Sequence, residues 1–263
     1  MKKFILCSAL ILCYGTSAFA KSTPTMDISN GLSLMAEATH MASDNSHYKM
    51  DIESPLLSGN ALNSAAQLYN QSINKIINTT ITDFKTKIVE NSAYVKNLPQ
   101  SVQENTLFID YSATVFKAGN QQIISLRINN EFYYAGSAHP SHQIQVFNYD
   151  LSSGKELAMS DLFKPKSSYL DKISDYARRD LLTKIKNEDK NEFDKGTAPI
   201  ADNYLNWNLK PNGILITFNE YQVAAYVFGQ PEVLVPYTML EDDIAPNAPI
   251  AFCIKTPSEC ASN

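Results

Sequence analysis

Two segments with alternating apolar and polar residues, joined by a short loop between residues 123 and 156, constrain the fold most. Before the loop the alternation has a period of two, which is typical of a half-buried β-strand. The loop, Ala135 to Ser141, contains Gly136 and Pro140, and both residue types favour tight turns. A second strand is expected from Gln143 to Tyr149. The stretch therefore predicts an antiparallel hairpin within a sheet.

The rest of the chain shows further strand patterns and two helical ones. Apolar residues at helical spacing predict an amphipathic helix from near Asn60 to near Pro99, and a second one from Ser167 to Asn187. Strands that come in runs, with helices between them, indicate an α+β fold of mainly antiparallel sheets with two long amphipathic helices packed on them. The other predicted strands are His47–Glu53, Leu107–Val115, Tyr204–Leu209, Gly213–Phe218, Tyr221–Tyr226 and Val233–Val235.

The N-terminus has the three-part pattern of a secretory signal peptide. A short basic start precedes an apolar run from Phe4 to Tyr14, and Ala18 and Ala20 occupy the positions that signal peptidase reads. An uncleaved membrane anchor is the alternative, but a span needs roughly 20 apolar residues. The sequence therefore predicts a periplasmic or secreted protein that is cleaved after Ala20.

Four parts are expected in the cleaved chain. Residues 21–46 are polar and rich in small side chains, which predicts a loose leader. An N-terminal α+β domain is expected over 47–135 and a C-terminal α+β domain over 136–240. A tail, 241–263, follows.

Two cysteines, Cys253 and Cys260, remain after cleavage and lie in this tail. An even pair in an oxidising compartment is expected to form a disulfide. A zinc site is disfavoured, because the spacing is not that of a zinc knuckle and no histidine lies nearby.

Cleavage also changes the charge of the chain. It removes two lysines and no acid, so 20 basic residues face 27 acidic ones and the net charge becomes −7. Such an acidic protein is a poor candidate for nucleic-acid binding. Its charge would instead attract a cationic partner.

No complete metal or catalytic motif stands out in the sequence. His139 and His142 supply at most two ligands, whereas zinc needs three or four. Ser137 is too close to His139 along the chain for the geometry of a catalytic triad. No cofactor is expected. Paired carboxylates leave an envelope glycan hydrolase, or another peptidoglycan-modifying enzyme, open as the alternative, with candidates Asp110, Glu131 and Glu220.

Tyrosines at strand ends and turns favour a binding function. Tyrosine combines an apolar ring with a polar tip and is enriched at interfaces. We therefore predict a non-enzymatic binding module that uses the 133–142 loop and the 220–226 region. The predicted ligand-binding residues are Tyr133, Ser137, His139, His142, Glu220, Tyr221 and Tyr226.

Two parts of the chain also resemble a known family. The segment Tyr48–Asn74 is similar to an N-terminal domain of unknown function found in PdaC-like peptidoglycan deacetylases and in RsiV-like anti-sigma regulators, whose ectodomain senses lysozyme. Five further segments of the chain are similar to the C-terminal domain of those regulators. They are Gly136–Pro140, Phe147–Leu151, Gly154–Leu157, Ser160–Phe163 and Asn219–Pro236.

This resemblance implies an exported cell-envelope module that binds a lysozyme-like protein or peptidoglycan. Only Met1–Lys3 precede the apolar run, so no cytoplasmic sigma-binding segment is expected, and no deacetylase domain is expected to follow. Neither anti-sigma activity nor deacetylation is therefore implied. No nucleic acid and, after cleavage, no membrane anchor are expected.

Overall fold

The computed structural model describes residues 25–29, 31–44, 47–186 and 189–260, and the predicted signal peptide lies outside them. Within these residues the chain has an α+β architecture with two sheets, as predicted. The strands are β1 Met26–Ser29, β2 Leu32–Ser43, β3 Tyr48–Gly59, β4 Asn105–Ala118, β5 Gln121–Tyr133, β6 Ser141–Asp150, β7 Lys155–Glu156, β8 Trp207–Lys210, β9 Gly213–Thr217 and β10 Glu232–Pro236. The helices are α1 Ser64–Val95, α2 Tyr169–Lys184, α3 Lys190–Gly196 and α4 Pro249–Lys255.

The first sheet contains seven strands, β1 to β7, in the order of the chain. Neighbours are antiparallel except β3 and β4, which are parallel because α1 connects them as a crossover. Tyr69, Ile73 and Phe84 form part of the buried stripe by which α1 covers one face of this sheet. Asn63, not Asn60, caps the helix, and its side-chain oxygen accepts from the backbone N–H of Ala66 at 2.9 Å.

The second sheet has the order β10-β9-β8 and packs with α2 and the C-terminal region against the opposite face of the first. A buried polar network fastens the two sheets. The Ser125 hydroxyl of β5 donates to the Asn148 side-chain oxygen of β6 at 2.6 Å. Asn148 donates to the Trp207 carbonyl at 2.9 Å, and Asn208 donates to the Ser125 hydroxyl at 3.0 Å. These bonds fix β8 across β5 and β6.

The predicted loose leader is wrong in conformation, because β1 and β2 lie within it and extend the first sheet. Strand β3 also continues through Pro55, beyond the predicted end at Glu53. Pairing of β3 with β4 covers only Tyr48 to Ile52, so the missing N–H of proline interrupts no bond with β4. The Pro55 carbonyl accepts instead from the Tyr69 hydroxyl at 3.1 Å.

Two predictions for the C-terminal half also change. Residues 221–226 do not form a strand but a turn that leads into a short 3₁₀ turn, Tyr226–Phe228. Residues 190–195 belong to a charged stretch for which the sequence predicts a loop, but they form most of the helix α3, because the Asp189 side chain caps its N-terminus. The tail is a packed segment in which Ile250 is fully buried. The predicted Cys253–Cys260 disulfide is confirmed.

Candidate functional site

The hairpin of β5 and β6 places Glu131 and His142 side by side. The two residues are paired neighbours in the antiparallel register, so their side chains share one face of the sheet. The connecting loop, 134–140, turns at Gly136, whose φ is +86°. A side chain there would also come within 2.8 Å of the Tyr94 ring. The glycine therefore meets both a conformational and a packing requirement of the loop.

A second element of the site is a tight turn from Asn219 to Gln222. The backbone N–H of Gln222 donates to the Asn219 carbonyl at 3.1 Å, and the Gln222 side chain donates to the Gly196 carbonyl at 3.0 Å. Tyr221 lies inside this turn with a φ of +62°, a left-handed conformation that few residues with a side chain adopt. Its ring is 56% exposed. The protein thus presents an aromatic side chain to solvent from a strained backbone.

His142 joins these two elements by contacting a carboxylate at each ring nitrogen. Its Nδ1 lies 2.7 Å from Glu220 Oε1, and its Nε2 lies 3.2 Å from Glu131 Oε2. Carboxylates only accept hydrogen bonds, so a ring nitrogen of His142 that carries a proton donates to the carboxylate it faces. The Glu220 side chain is only 12% exposed, whereas that of Glu131 is 45% exposed. Glu131 is therefore the carboxylate that an external ligand can reach.

Three rings form an aromatic group beside His142 and its two carboxylates. The rings of His139 and Tyr226 have centroids 4.5 Å apart, and Tyr226 and Tyr221 stack at 5.7 Å. His139 Nδ1 donates to the Pro140 carbonyl at 2.7 Å, and its side chain lies in an exposed part of the loop. Desolvation, and then the negative charge of Glu220, raises the pKa of the Tyr226 hydroxyl. Tyr226 is therefore a neutral group at physiological pH.

A polar groove of about 270 Å³ continues from Glu131 and His142 across the face of the first sheet that lies opposite α1. Phe108, at the groove wall, is 44% exposed. Arg127 is held by ion pairing with Glu232 and donates to the Gln230 side chain at 3.0 Å. The groove therefore offers one aromatic ring among groups that both donate and accept hydrogen bonds.

We call the group formed by these two segments the His142 site, and its members are Glu131, His139, His142, Glu220, Tyr221 and Tyr226. Five of the seven predicted ligand-binding residues meet there. Ser137 is exposed in the same loop, but its described contact is a backbone bond to the Tyr134 carbonyl. Tyr133 lies across from Thr106 at the end of β5, away from the described ring contacts.

Glu131 and the groove residue Arg127 were not predicted as ligand-binding residues. The hairpin itself carries the signal for Glu131, because a loop centred on residues 136–137 makes 131 the partner of 142. No such local signal exists for Arg127, whose partners Gln230 and Glu232 lie more than 100 residues away.

The chemistry of the acids follows from their partners. Glu131 and Glu220 flank His142, and Asp110 accepts from the Asn129 side chain at 2.6 Å.

Across the part of the chain that the structure describes, no three histidines, cysteines or acids are placed to hold a metal ion. In that same part, no helix is both long and apolar enough to cross a membrane. The arrangement offers stacking rings and hydrogen-bonding groups at one surface.

Comparisons with known proteins agree with this fold. Residues 160–238 match the family model described as "Protein of unknown function (DUF3298)", so the chain contains a DUF3298 domain. The peptidoglycan-N-acetylmuramic acid deacetylase PdaC of Bacillus subtilis (strain 168) is 32% identical over 146 residues, which are 54% of this chain. The chain spans only 30% of that relative's length. This match confirms the predicted similarity to PdaC-like proteins over part of the chain.

Two solved structures share the architecture. A member of the DUF3298 family from Bacteroides fragilis NCTC 9343 has a TM-score of 0.59 at 17% identity, covering 86% of this chain and 97% of that one. A DUF3298 family protein from Pseudomonas aeruginosa PAO1 has a TM-score of 0.51 at 14% identity, covering 84% and 97%. At these identities the similarity shows the fold alone.

Proposed function

We propose that this protein is an exported, non-enzymatic module of the cell envelope that binds peptidoglycan through the His142 site. The observation that carries the proposal is the exposed aromatic group beside a reachable carboxylate. The rings of His139, Tyr221 and Tyr226 lie next to each other at the surface, close to Glu131. Aromatic faces suit the apolar faces of sugar rings, and carboxylate oxygens accept from hydroxyl and amide groups.

The strain at Tyr221 supports a role in binding. A left-handed backbone at a residue with a large side chain costs of the order of 1–3 kcal/mol, and such strain clusters at ligand sites. The exposed ring of Tyr221 recovers little of this cost by burial, because it is 56% exposed. The cost is explained if the ring covers a ligand.

Peptidoglycan is supported by a relative as well as by the geometry. The similar B. subtilis protein is named for deacetylating peptidoglycan N-acetylmuramic acid. A module shared with such an enzyme would serve to hold the polymer. The signal-peptide pattern at residues 1–20 would deliver this chain to the compartment where peptidoglycan lies.

A lysozyme-like cationic protein is the second candidate ligand. The net charge of −7 after cleavage favours a cationic partner, and Glu131 offers a half-exposed carboxylate in the site. An enzymatic role as a glycan hydrolase is less favoured, because both glutamates of the site already contact His142. A free pair of acids flanking a glycosidic bond is what that reaction needs.

Co-sedimentation of the purified mature chain with peptidoglycan sacculi tests the proposal. Tyr226→Ala is expected to weaken binding by roughly tenfold or more, since it removes the ring that His139 and Tyr221 both contact. Leu182→Ala, a change at an exposed apolar residue of α2, is the matched control and should bind normally.

Four results would count against the proposal. If the protein stays in the supernatant when the sacculi are sedimented, it does not bind peptidoglycan. If wild type and Tyr226→Ala bind equally, the His142 site is not where peptidoglycan is recognised. Binding to soluble lysozyme but not to sacculi would support the second candidate. Release of soluble muropeptides that is lost in Glu220→Gln would favour the hydrolase.

A further inference from the structure

A second pocket, outside the His142 site, lies between β4 and the hairpin of β8 and β9. Its volume is about 390 Å³. Leu215, Leu234 and Met26 are among its apolar lining residues, and Asn212 is a polar one. Lys210 and Thr114, two further polar members, contact each other. The pocket thus combines apolar side chains with a single cationic one.

Lys210 is held in this pocket without a carboxylate partner. Its Nζ donates to Thr114 Oγ1 at 2.7 Å, and no described acid lies within ion-pair distance of it. The nearby Glu232 is engaged by Arg127 instead. Partial burial of the lysine, which outweighs the field of Glu232, lowers the pKa of the ammonium. A charge that the fold leaves poorly compensated is stabilised when an anion binds to it.

The contact between Lys210 and Thr114 leaves a hydrogen-bond donor available on each of the two residues. An ammonium carries three N–H groups, and Lys210 uses one of them on Thr114. The Thr114 oxygen accepts this bond, so its own O–H remains to donate, and Thr114 is 7% exposed. Two adjacent donors, one of them charged, match the two oxygens of a carboxylate.

We propose that the Lys210 pocket binds the terminal carboxylate of a short peptide that ends in a small aliphatic residue. The carboxylate would accept from Lys210 and Thr114, and the aliphatic side chain would contact Leu215 and Leu234. In the cell envelope the stem peptides of peptidoglycan carry such ends, commonly as D-alanine. This assignment of the source rests on the proposed function, whereas the carboxylate site itself does not.

Titration of the mature chain with acetyl-D-alanyl-D-alanine, followed by amide NMR shifts, tests the pocket. Amide NMR shifts are expected at Thr114, Lys210 and Leu215. The same dipeptide with a C-terminal amide in place of the carboxylate is the control ligand and should not bind. Lys210→Met should weaken binding at least about tenfold, since it removes a charge-assisted hydrogen bond. The matched control, Lys117→Met, removes the same charge from an exposed position on β4 and should leave the affinity unchanged.

Thr114→Val keeps the shape of the side chain and should weaken binding several-fold while the thermal midpoint confirms folding. Equal binding of the acid and the amide, unchanged affinity in Lys210→Met, or shifts outside the pocket would overturn the inference. A preference for D-alanyl over L-alanyl dipeptide supports the stem-peptide source, and the reverse preference removes it. If sacculi do not bind but the dipeptide does, the proposed function fails and the carboxylate pocket stands.

Discussion

Replacing Asn148 by alanine tests whether the buried polar network holds the two sheets together. Asn148 is 2% exposed, accepts from the Ser125 hydroxyl and donates to the Trp207 carbonyl. Its removal leaves that hydroxyl and that carbonyl without these partners in a buried interface. Each such buried group costs about 1–3 kcal/mol. We therefore expect the free energy of unfolding to fall by about 3 kcal/mol.

Urea denaturation of the mature chain measures this loss directly. For a chain of this size about 3 kcal/mol also corresponds to a thermal midpoint lowered by roughly 6–12 °C. Asn247→Ala, at an exposed position, is the control and should change stability by less than about 0.5 kcal/mol.

A second variant separates the network from simple loss of volume. Ser125→Ala removes the partner hydroxyl, and the double variant with Asn148→Ala should cost clearly less than the sum of the two single changes. The reasoning is refuted if Asn148→Ala costs under about 1 kcal/mol, or if the two changes are additive. In that case apolar packing alone would hold β8 on β5 and β6.

Three further outcomes follow from other parts of the fold. A Cβ at Gly196 would lie 1.8 Å from the Gln222 carbonyl oxygen. Gly196→Ala should therefore displace the turn that contains Gln222, which lowers the thermal midpoint and weakens sacculi binding. A wild-type midpoint would contradict this. Replacing Cys253 and Cys260 by serine should cost about 2 kcal/mol in urea unfolding, because the disulfide closes a short loop, and an unchanged curve would contradict it. Burial raises the pKa of Tyr237 far above its usual value, so the folded state keeps this proton while the unfolded chain loses it. Stability should therefore hold below about pH 10 and fall above it, more steeply in wild type than in Tyr237→Phe, and parallel pH curves would refute the assignment.

Local patterns were enough to predict the elements that carry their own apolar periodicity. Strand β5 places Ile124, Leu126 and Ile128 on one core face, and the stripe on α1 is continuous. Strand β2 lacks such a signal, because only Leu32 and Leu34 of its residues are buried. Its strand state comes from pairing with β3 along twelve residues, which no local pattern shows.

Local sequence patterns likewise predict one contact of the candidate site but not the other. The Glu131–His142 contact follows from the register of one hairpin, so alternation and loop position lead to it. The contact between His142 and Glu220 joins residues 78 positions apart and depends on how the second sheet packs on the first. The segment 221–226 was predicted as a strand because it is apolar. The turn bonds of Gln222 and the left-handed Tyr221 override that tendency.

Adjacent residues on β4 and β5 pack into two different hydrophobic cores, one on each face of the first sheet. Val115 and Ile124 belong to the α1 side, while their neighbours Phe116 and Ile123 belong to the side of the second sheet, and all four are fully buried. Loss of either layer would uncover the other, so the whole protein should melt in one cooperative transition. A fragment cut to 160–238 would leave Phe116 and Ile123 behind and expose the apolar surface that they cover. Attempts to express that segment alone should therefore yield aggregated material.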